Sequence, residues 1–223
     1  MTVDESKLRQ LVTVFLEENK KLNLSAFRSE EHCWVGNVLD SVAFLQSFEV
    51  LPELNNVKSI LDIGTGGGFP LLPLALSLPD VKCTGMDSTR KKLDAIQRII
   101  LTMDIKNASV ICGRFEDHAQ ANLRGTFDVV TARAVAPLSV LLEYAVPFLK
   151  VGGLCAFWKS SKVADEMAMS ANAQKILKAP FVRTFEYELP EAFGKRIIVF
   201  FRKTAETPKD YPRKTGIPKQ QPL

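Results

Sequence analysis

Residues 61–70 read LDIGTGGGFP, in which Asp62, Gly64, Gly66 and Gly68 form D-x-G-x-G-x-G at the end of a short apolar run. Glycines at that spacing let the backbone turn sharply and let a ligand approach with no Cβ in the way. A nicotinamide cofactor asks for a small residue at the last position of G-x-G-x-x-G, where Phe69 stands. It also asks for a clean helix N-terminus, which Pro70 and Pro73 are expected to interrupt. A Walker loop asks for Gly-Lys-Ser/Thr, which does not follow. The remaining common occupant is S-adenosylmethionine, whose ammonium and carboxylate need small residues and whose positive charge tolerates an acid such as Asp62.

Further along the chain, Asp87 ends the second apolar run, where a carboxylate accepts both ribose hydroxyls of an adenosine. The competing role is a cap on the helix that starts at Thr89. In CGRFE, 112–116, Phe115 is placed to cover an adenine face and Glu116 to orient its neighbours, although an isolated Phe is more often core. After the fourth and fifth strands come TARAVAP (131–137) and KSSK (159–162), whose candidate catalytic groups are Arg133 and Lys159. Neither segment has the Asn-Pro-Pro-Tyr of exocyclic-amine methylation or a Cys to attack a pyrimidine carbon. A methyl transfer to a ring nitrogen with a free lone pair, such as guanine N7, needs only in-line placement and desolvation. Arg133's forked donors suit a carboxylate or a phosphate, an ordinary ion pair being the alternative.

These groups need a scaffold that brings strand ends together. Leu8, Leu11, Val12, Phe15 and Leu16 recur at helical spacing, and Thr2 with Glu5 reads as a capping box. A second helix is expected from Ser29, with Val35, Val38, Leu39, Val42 and Leu45 on one stripe. From Val57 short apolar runs alternate with helical segments, the pattern of βαβ units in a parallel sheet. The expected strands are 58–63, 81–86, 109–112, 127–131 and 154–158, followed by an edge hairpin of 183–189 and 195–203. Helices are expected over 91–103 and after Pro137. The division is a helical extension (1–56), a sheet domain (57–203) and a Pro-rich extended tail (204–223).

The 223 residues carry a net charge of +4, and the stretch from Arg202 onward, with six basic residues against two acidic ones, holds all of it. That placement makes Arg213, Lys214 and Lys219 candidates for RNA phosphate contacts, a solvated tail being the alternative. The longest strongly apolar stretch, 69–79, is far short of the ~20 residues a membrane helix needs. With no signal segment, the chain is expected in the cytoplasm, off the membrane. Four scattered cysteines and two histidines argue against disulfides and a zinc site, so no metal is expected.

Taken together, NLSAF (23–27), VLDSV (38–42), LDIGTGGGFPLLPLA (61–75), MDSTRKKLDAI (86–96), GRFE (113–116), TARAVAPL (131–138) and YPRKTGIPKQQPL (211–223) resemble the bacterial 16S ribosomal RNA guanine-N7 methyltransferases, also called glucose-inhibited division protein B. The resemblance implies a class I, Rossmann-like α/β fold with a seven-stranded, mostly parallel sheet and added N-terminal helices. It implies S-adenosylmethionine contacts at Gly64, Phe69, Phe115, Glu116 and Arg133, with Asp87 expected on the ribose. The implied substrate is a guanine of 16S RNA in the small ribosomal subunit, and the enzyme is expected to be a monomer. Gly36 and Asn37 depart from the family's usual basic residue and His before Leu-Asp-Ser, and Ser160 from its usual Gly. The rival readings are a methyltransferase of a small molecule or protein and a non-catalytic RNA-binding assembly protein.

Overall fold

In the computed structural model, which describes residues 4–160 and 163–223, the chain forms one seven-stranded sheet in the order β3-β2-β1-β4-β5-β7-β6. It divides into two compact units, one of 1–112 with 187–194 and the other of 113–186 with 195–223. Residues 1–56 thus share a unit with the first three strands, and the tail belongs to the second unit.

The first unit starts with α1 (Glu5–Leu22), whose apolar stripe Leu8, Leu11, Val12, Phe15 and Leu16 is buried as its spacing requires. Thr2 of the expected capping box lies outside the described residues, and Asp4 is the N-cap, accepting from Lys7 N at 3.2 Å. Asn19, fully buried near the end of α1, bonds Ser25 N, Ser25 O and Phe27 O, folding the NLSAF segment back onto the helix. Ser29 caps α2 (Glu30–Cys33), which runs through a π-helical stretch, Trp34–Leu39, into α3 (Asp40–Gln46).

That wide turn corrects the expected single stripe. Widening the turn rotates the residues after it, so Asp40, Ser41, Ala43 and Phe44 face inward while Leu39, Val42 and Leu45 are only half-buried. It also accounts for two departures. A Cβ on Gly36 would lie 2.4 Å from the Phe27 ring and 2.6 Å from the Phe193 ring. Asn37 is buried, its amide donating to Ser25 Oγ at 3.3 Å.

Parallel strands β1 (Ser59–Ile63), β2 (Lys82–Asp87) and β3 (Ala108–Cys112) follow, with α4 (Leu71–Ser77) and α5 (Arg90–Thr102) between them. Leu93, Ala95, Ile96, Ile99 and Ile100 form the buried face of α5, and its Arg98 reaches Glu18 of α1 at 2.6 Å.

The second unit contains α6 (Phe115–Gln120), β4 (Phe127–Arg133), α7 (Leu138–Ala145), β5 (Leu149–Ser160), α8 (Ala164–Met169) and α9 (Ala171–Leu177). β6 (Phe181–Leu189) is one of the sheet's two edge strands, β3 being the other, and β7 (Gly194–Arg202) lies antiparallel to β5, which is itself parallel to β4. β5 is twice as long as its apolar core, starting at Leu149 through a register shift opposite Phe127 and Val129.

The expected extended tail is instead folded onto its own unit and ends in α10 (Ile217–Gln220). Its backbone carbonyls, left unpaired by the prolines, are taken up by side chains: Arg124 donates to the carbonyls of Thr207, Pro208 and Tyr211, and Gln120 to that of Pro212. Lys203 is fully buried, its ammonium donating to Leu149 O at 2.7 Å, and burial lowers its pKa.

Candidate functional site

In the first unit the loop after β1 is stitched to the end of β2, because Gly64 N and Thr65 N both donate to Met86 O, at 2.8 and 3.1 Å. Gly64, Gly66 and Gly68 all sit at positive φ, 69°, 54° and 90°. An L-residue there costs about 1 to 2 kcal/mol per position. The loop has two unlike sides. A Cβ on Gly67 would press on Leu24 O and the Phe15 ring, both 3.2 Å away, whereas one on Gly66 would meet nothing nearer than Gly64 O at 3.7 Å. The N-terminal helix and the NLSAF turn therefore back the loop, and a bare backbone face remains beside Gly66. Phe69 is buried edge-on against Phe15, 4.9 Å between centroids, so its ring is core and only its main chain is left for a ligand.

The prolines do not break the helix as expected. Pro70 is the N-cap of α4 and Pro73 lies in its first turn, where a missing N–H leaves no bond unmade.

Asp87 carries out the capping role and keeps capacity for a second. Its Oδ1 accepts from Thr89 N at 2.8 Å, and its Oδ2 accepts from Gly66 N at 3.1 Å, tying the strand end to the glycine loop. Thr89, the N-cap of α5, makes no side-chain cap bond of its own. A carboxylate has about four acceptor positions, so the half-buried Asp87 retains sites for two hydroxyls. A bare glycine face beside such a carboxylate fits the amino-acid and ribose parts of S-adenosylmethionine.

In the second unit Phe115 and Glu116 open α6. The Phe115 ring tilts against Tyr144 at 5.3 Å. Glu116 is only 4% exposed, and its Oε1 accepts from the backbone N of Gly216, in the tail, at 3.0 Å. Burial raises the Tyr144 pKa, with Glu116 and Glu143 adding to the effect.

Arg133 ends β4, half-buried, and the chain then turns through Ala134 at φ 57°. Lys159, near the end of β5, donates to Ala136 O at 2.8 Å and to Glu166 Oε2 at 2.6 Å. Glu166 Oε2 also accepts from Leu138 N, at the start of α7. Sequence reasoning missed Glu166. Its function is to clamp the segment between β4 and α7, and its only sequence signal is an acid in the first turn of a short helix. Ser160 is exposed, and the remainder of KSSK, 161–162, lies outside the described residues.

The three candidate RNA contacts separate. Lys214 and Lys219 are exposed. Arg213 instead grips Glu143, which has no exposed surface: its Nε donates to Oε1 at 2.9 Å, its Nη2 to Oε2 at 2.6 Å and its backbone N to Oε1 at 2.8 Å.

The model of the family described as rRNA small subunit methyltransferase G matches residues 4–189. Two curated relatives are called ribosomal RNA small subunit methyltransferase G. That of Lactococcus lactis subsp. lactis is 36% identical over 99% of this chain and 93% of its own. That of Trichodesmium erythraeum is 36% identical over 100% and 88%. Among solved structures, the O-methyltransferase from Bacillus cereus in complex with SAH superposes with a TM-score of 0.60 at 19% identity, covering 87% of this chain and 91% of that one. A putative O-methyltransferase from Klebsiella pneumoniae gives 0.59 at 16%, covering 87% and 90%. At these identities the two structures establish the class I methyltransferase fold.

Proposed function

The chain belongs to the rRNA small subunit methyltransferase G family, and from that premise we propose that it methylates N7 of a guanine in 16S ribosomal RNA of the small subunit. It is an S-adenosylmethionine-dependent rRNA methyltransferase, and the position of the methyl group is the part proposed. The observation that supports the donor reading is the Asp87 carboxylate, bonded to Gly66 N beside a glycine face with no Cβ. In the first unit the donor contacts are the main chain at Gly64 and Phe69, with Asp87 accepting from the ribose. For Phe115, Glu116 and Arg133 the support is the family resemblance alone. The donor supplies an electrophilic methyl on a sulfonium sulfur, so the N7 lone pair forms the new bond while the C–S pair stays on sulfur.

N7 bears no proton, so the protein's task is placement. Lys159 and Glu166 hold the backbone of 136–138 in place, and Lys214 and Lys219, exposed on the tail, meet RNA phosphates. The chain is proposed to act as a cytoplasmic monomer. No helix of the described residues is long and apolar enough to cross a membrane.

Mass mapping of methylated guanine in ribosomal RNA from cells with and without this protein tests the reading. A 7-methylguanine lost in its absence and restored by the purified protein is expected; an unchanged methylation map overturns it. Placement without a base carries a second expectation. The single-turnover rate at saturation stays level between about pH 5 and 8, where an unperturbed His would titrate. A steep change in that range, with folding and binding constant, contradicts the base-free mechanism.

A further inference from the structure

Glycine has the freest backbone of any residue, so a loop with glycine at four of the five positions 64–68 keeps its shape only through what surrounds it. On one side the holds are hydrogen bonds: Gly64 N and Thr65 N on Met86 O, Gly66 N on Asp87, and Gly68 N closing on Thr65 O at 2.7 Å. At Gly67 the hold is packing. A Cβ there would lie 3.2 Å from Leu24 O and from the Phe15 ring, and 3.4 Å from Leu24 Cβ. Gly67 is not one of the glycines at positive φ. Its missing side chain therefore answers to the close approach of Leu24 and not to backbone conformation.

Asn19 sets where Leu24 stands. The left-handed Asn23, whose N–H donates to Asn19 O at 3.0 Å, already ends α1 in the usual way. Asn19 adds a second set of bonds that a helix end does not need. Its Oδ1 accepts from Ser25 N at 2.9 Å, and its Nδ2 donates to Ser25 O at 3.2 Å and to Phe27 O at 2.9 Å. Both amide protons are thus used on one turn, by a side chain that is 1% exposed. Leu24 lies between the cap residue and the residue bonded twice to Asn19, so its carbonyl is aimed from both sides.

We propose that Asn19 is a positioning residue for the donor site: it holds Leu24 against Gly67, so that the glycine loop stands in its donor-binding shape before S-adenosylmethionine arrives. The inference rests on the donor reading above and adds a residue that acts only through Leu24 and Gly67. A freed turn leaves the loop mobile in the unliganded protein, and donor binding must then order it. The loss falls on donor affinity, while the bound geometry, and with it the rate at saturation, is kept.

Calorimetry with S-adenosylhomocysteine as the probe, and methyl transfer to small ribosomal subunits, test this on the full chain. In Asn19→Ala the affinity is expected to fall about tenfold, the cost of ordering one more backbone residue on binding. The KM for the donor rises by the same factor, while kcat and the KM for the acceptor stay level. A purely structural role would instead lower binding stoichiometry and kcat together and leave the affinity of the folded molecules unchanged. Gly67→Ala probes the same contact from the loop side, its new methyl pushing the loop off Leu24 O, and is expected to weaken the probe as well. In the double variant the two losses are expected to be less than additive, because a freed turn gives way to the methyl. A folded Asn19→Ala that binds the probe as tightly as wild type overturns the proposal, as do losses that simply add. If Asn19→Ala does not fold, Gly67→Ala decides, and wild-type affinity in that variant overturns the proposal. Failure of the wild type to bind the probe removes the donor reading, and the role of Asn19 with it.

Discussion

The glycine loop of the first unit and, in the second, the helices α6 and α7 strapped by the tail hold a few groups still by opposite means. The loop is held by backbone conformation: three glycines at positive φ, two amides on Met86 O and one carboxylate across the turn. The region under this tail strap is held by side chains, with buried Glu143 gripped by Arg213 and one oxygen of Glu116 bonded to the Gly216 amide. A backbone device places its ligand-facing surface at little cost in buried charge. A side-chain device stays intact only while its distant partner is present, so its loss falls on stability first.

The largest effect that tests this contrast is expected at Arg213. Removing one partner of a buried pair leaves an uncompensated charge and typically costs about 3 to 5 kcal/mol. Arg213→Ala leaves Glu143 in that state, since it has no exposed surface and receives its charged donors from Arg213. Denaturant unfolding is the measurement. A loss below about 1 kcal/mol, the level of an exposed pair, would show that the tail is not held as the geometry describes.

A middle-sized effect with the opposite balance is expected at Asp87. Asp87→Ala gives up the bonds to Thr89 N and Gly66 N. Loss of a cap costs about 0.5 to 2 kcal/mol. Its larger consequence is on the donor: losing even one charge-assisted bond of about 1.5 kcal/mol weakens S-adenosylhomocysteine roughly tenfold in calorimetry. Unchanged affinity removes Asp87 from the site and leaves it a cap alone. If Asp87→Ala proved more destabilising than Arg213→Ala, the contrast between the two regions would be reversed.

The same difference decides what could be read from sequence. Glycine spacing, the acid after the second strand and the apolar stripes of α1 and α5 are local signals, and the structure has those glycines and that acid where the spacing put them. The strap is not local: Arg213 meets Glu143 across 70 residues and Gly216 meets Glu116 across 100. Charge counting assigned Arg213 to RNA because composition registers a cation and not its buried partner. The π-helical turn escaped for a related reason. An α-helical stripe is counted at 3.6 residues per turn, and one wide turn moves Val42 and Leu45 off the face that this count assigns them.

The smallest expected effect concerns a second Arg–Glu pair, which shows that burial rather than residue type makes the strap costly to break. Glu18 of α1 receives hydrogen bonds from Arg98 and Lys21, and these hold its carboxyl down to about 2 from an ordinary 4.5. Because the folded value is depressed, the stabilisation is fully present above about pH 4.5 and is lost as pH falls toward about 2. Yet Arg98 is half-exposed, where Arg213 is only 25% exposed, and Lys21 remains as a second donor when Arg98 is removed. Solvent screening of the exposed partner therefore limits Arg98→Met to about 1 kcal/mol or less at neutral pH. The variant's stability should also fall less steeply than the wild type's below pH 4.5, as urea midpoints across pH 2.5 to 7 would reveal. A loss at neutral pH as large as that of Arg213→Ala would mean that the Glu18 pair is as dry as the strap's.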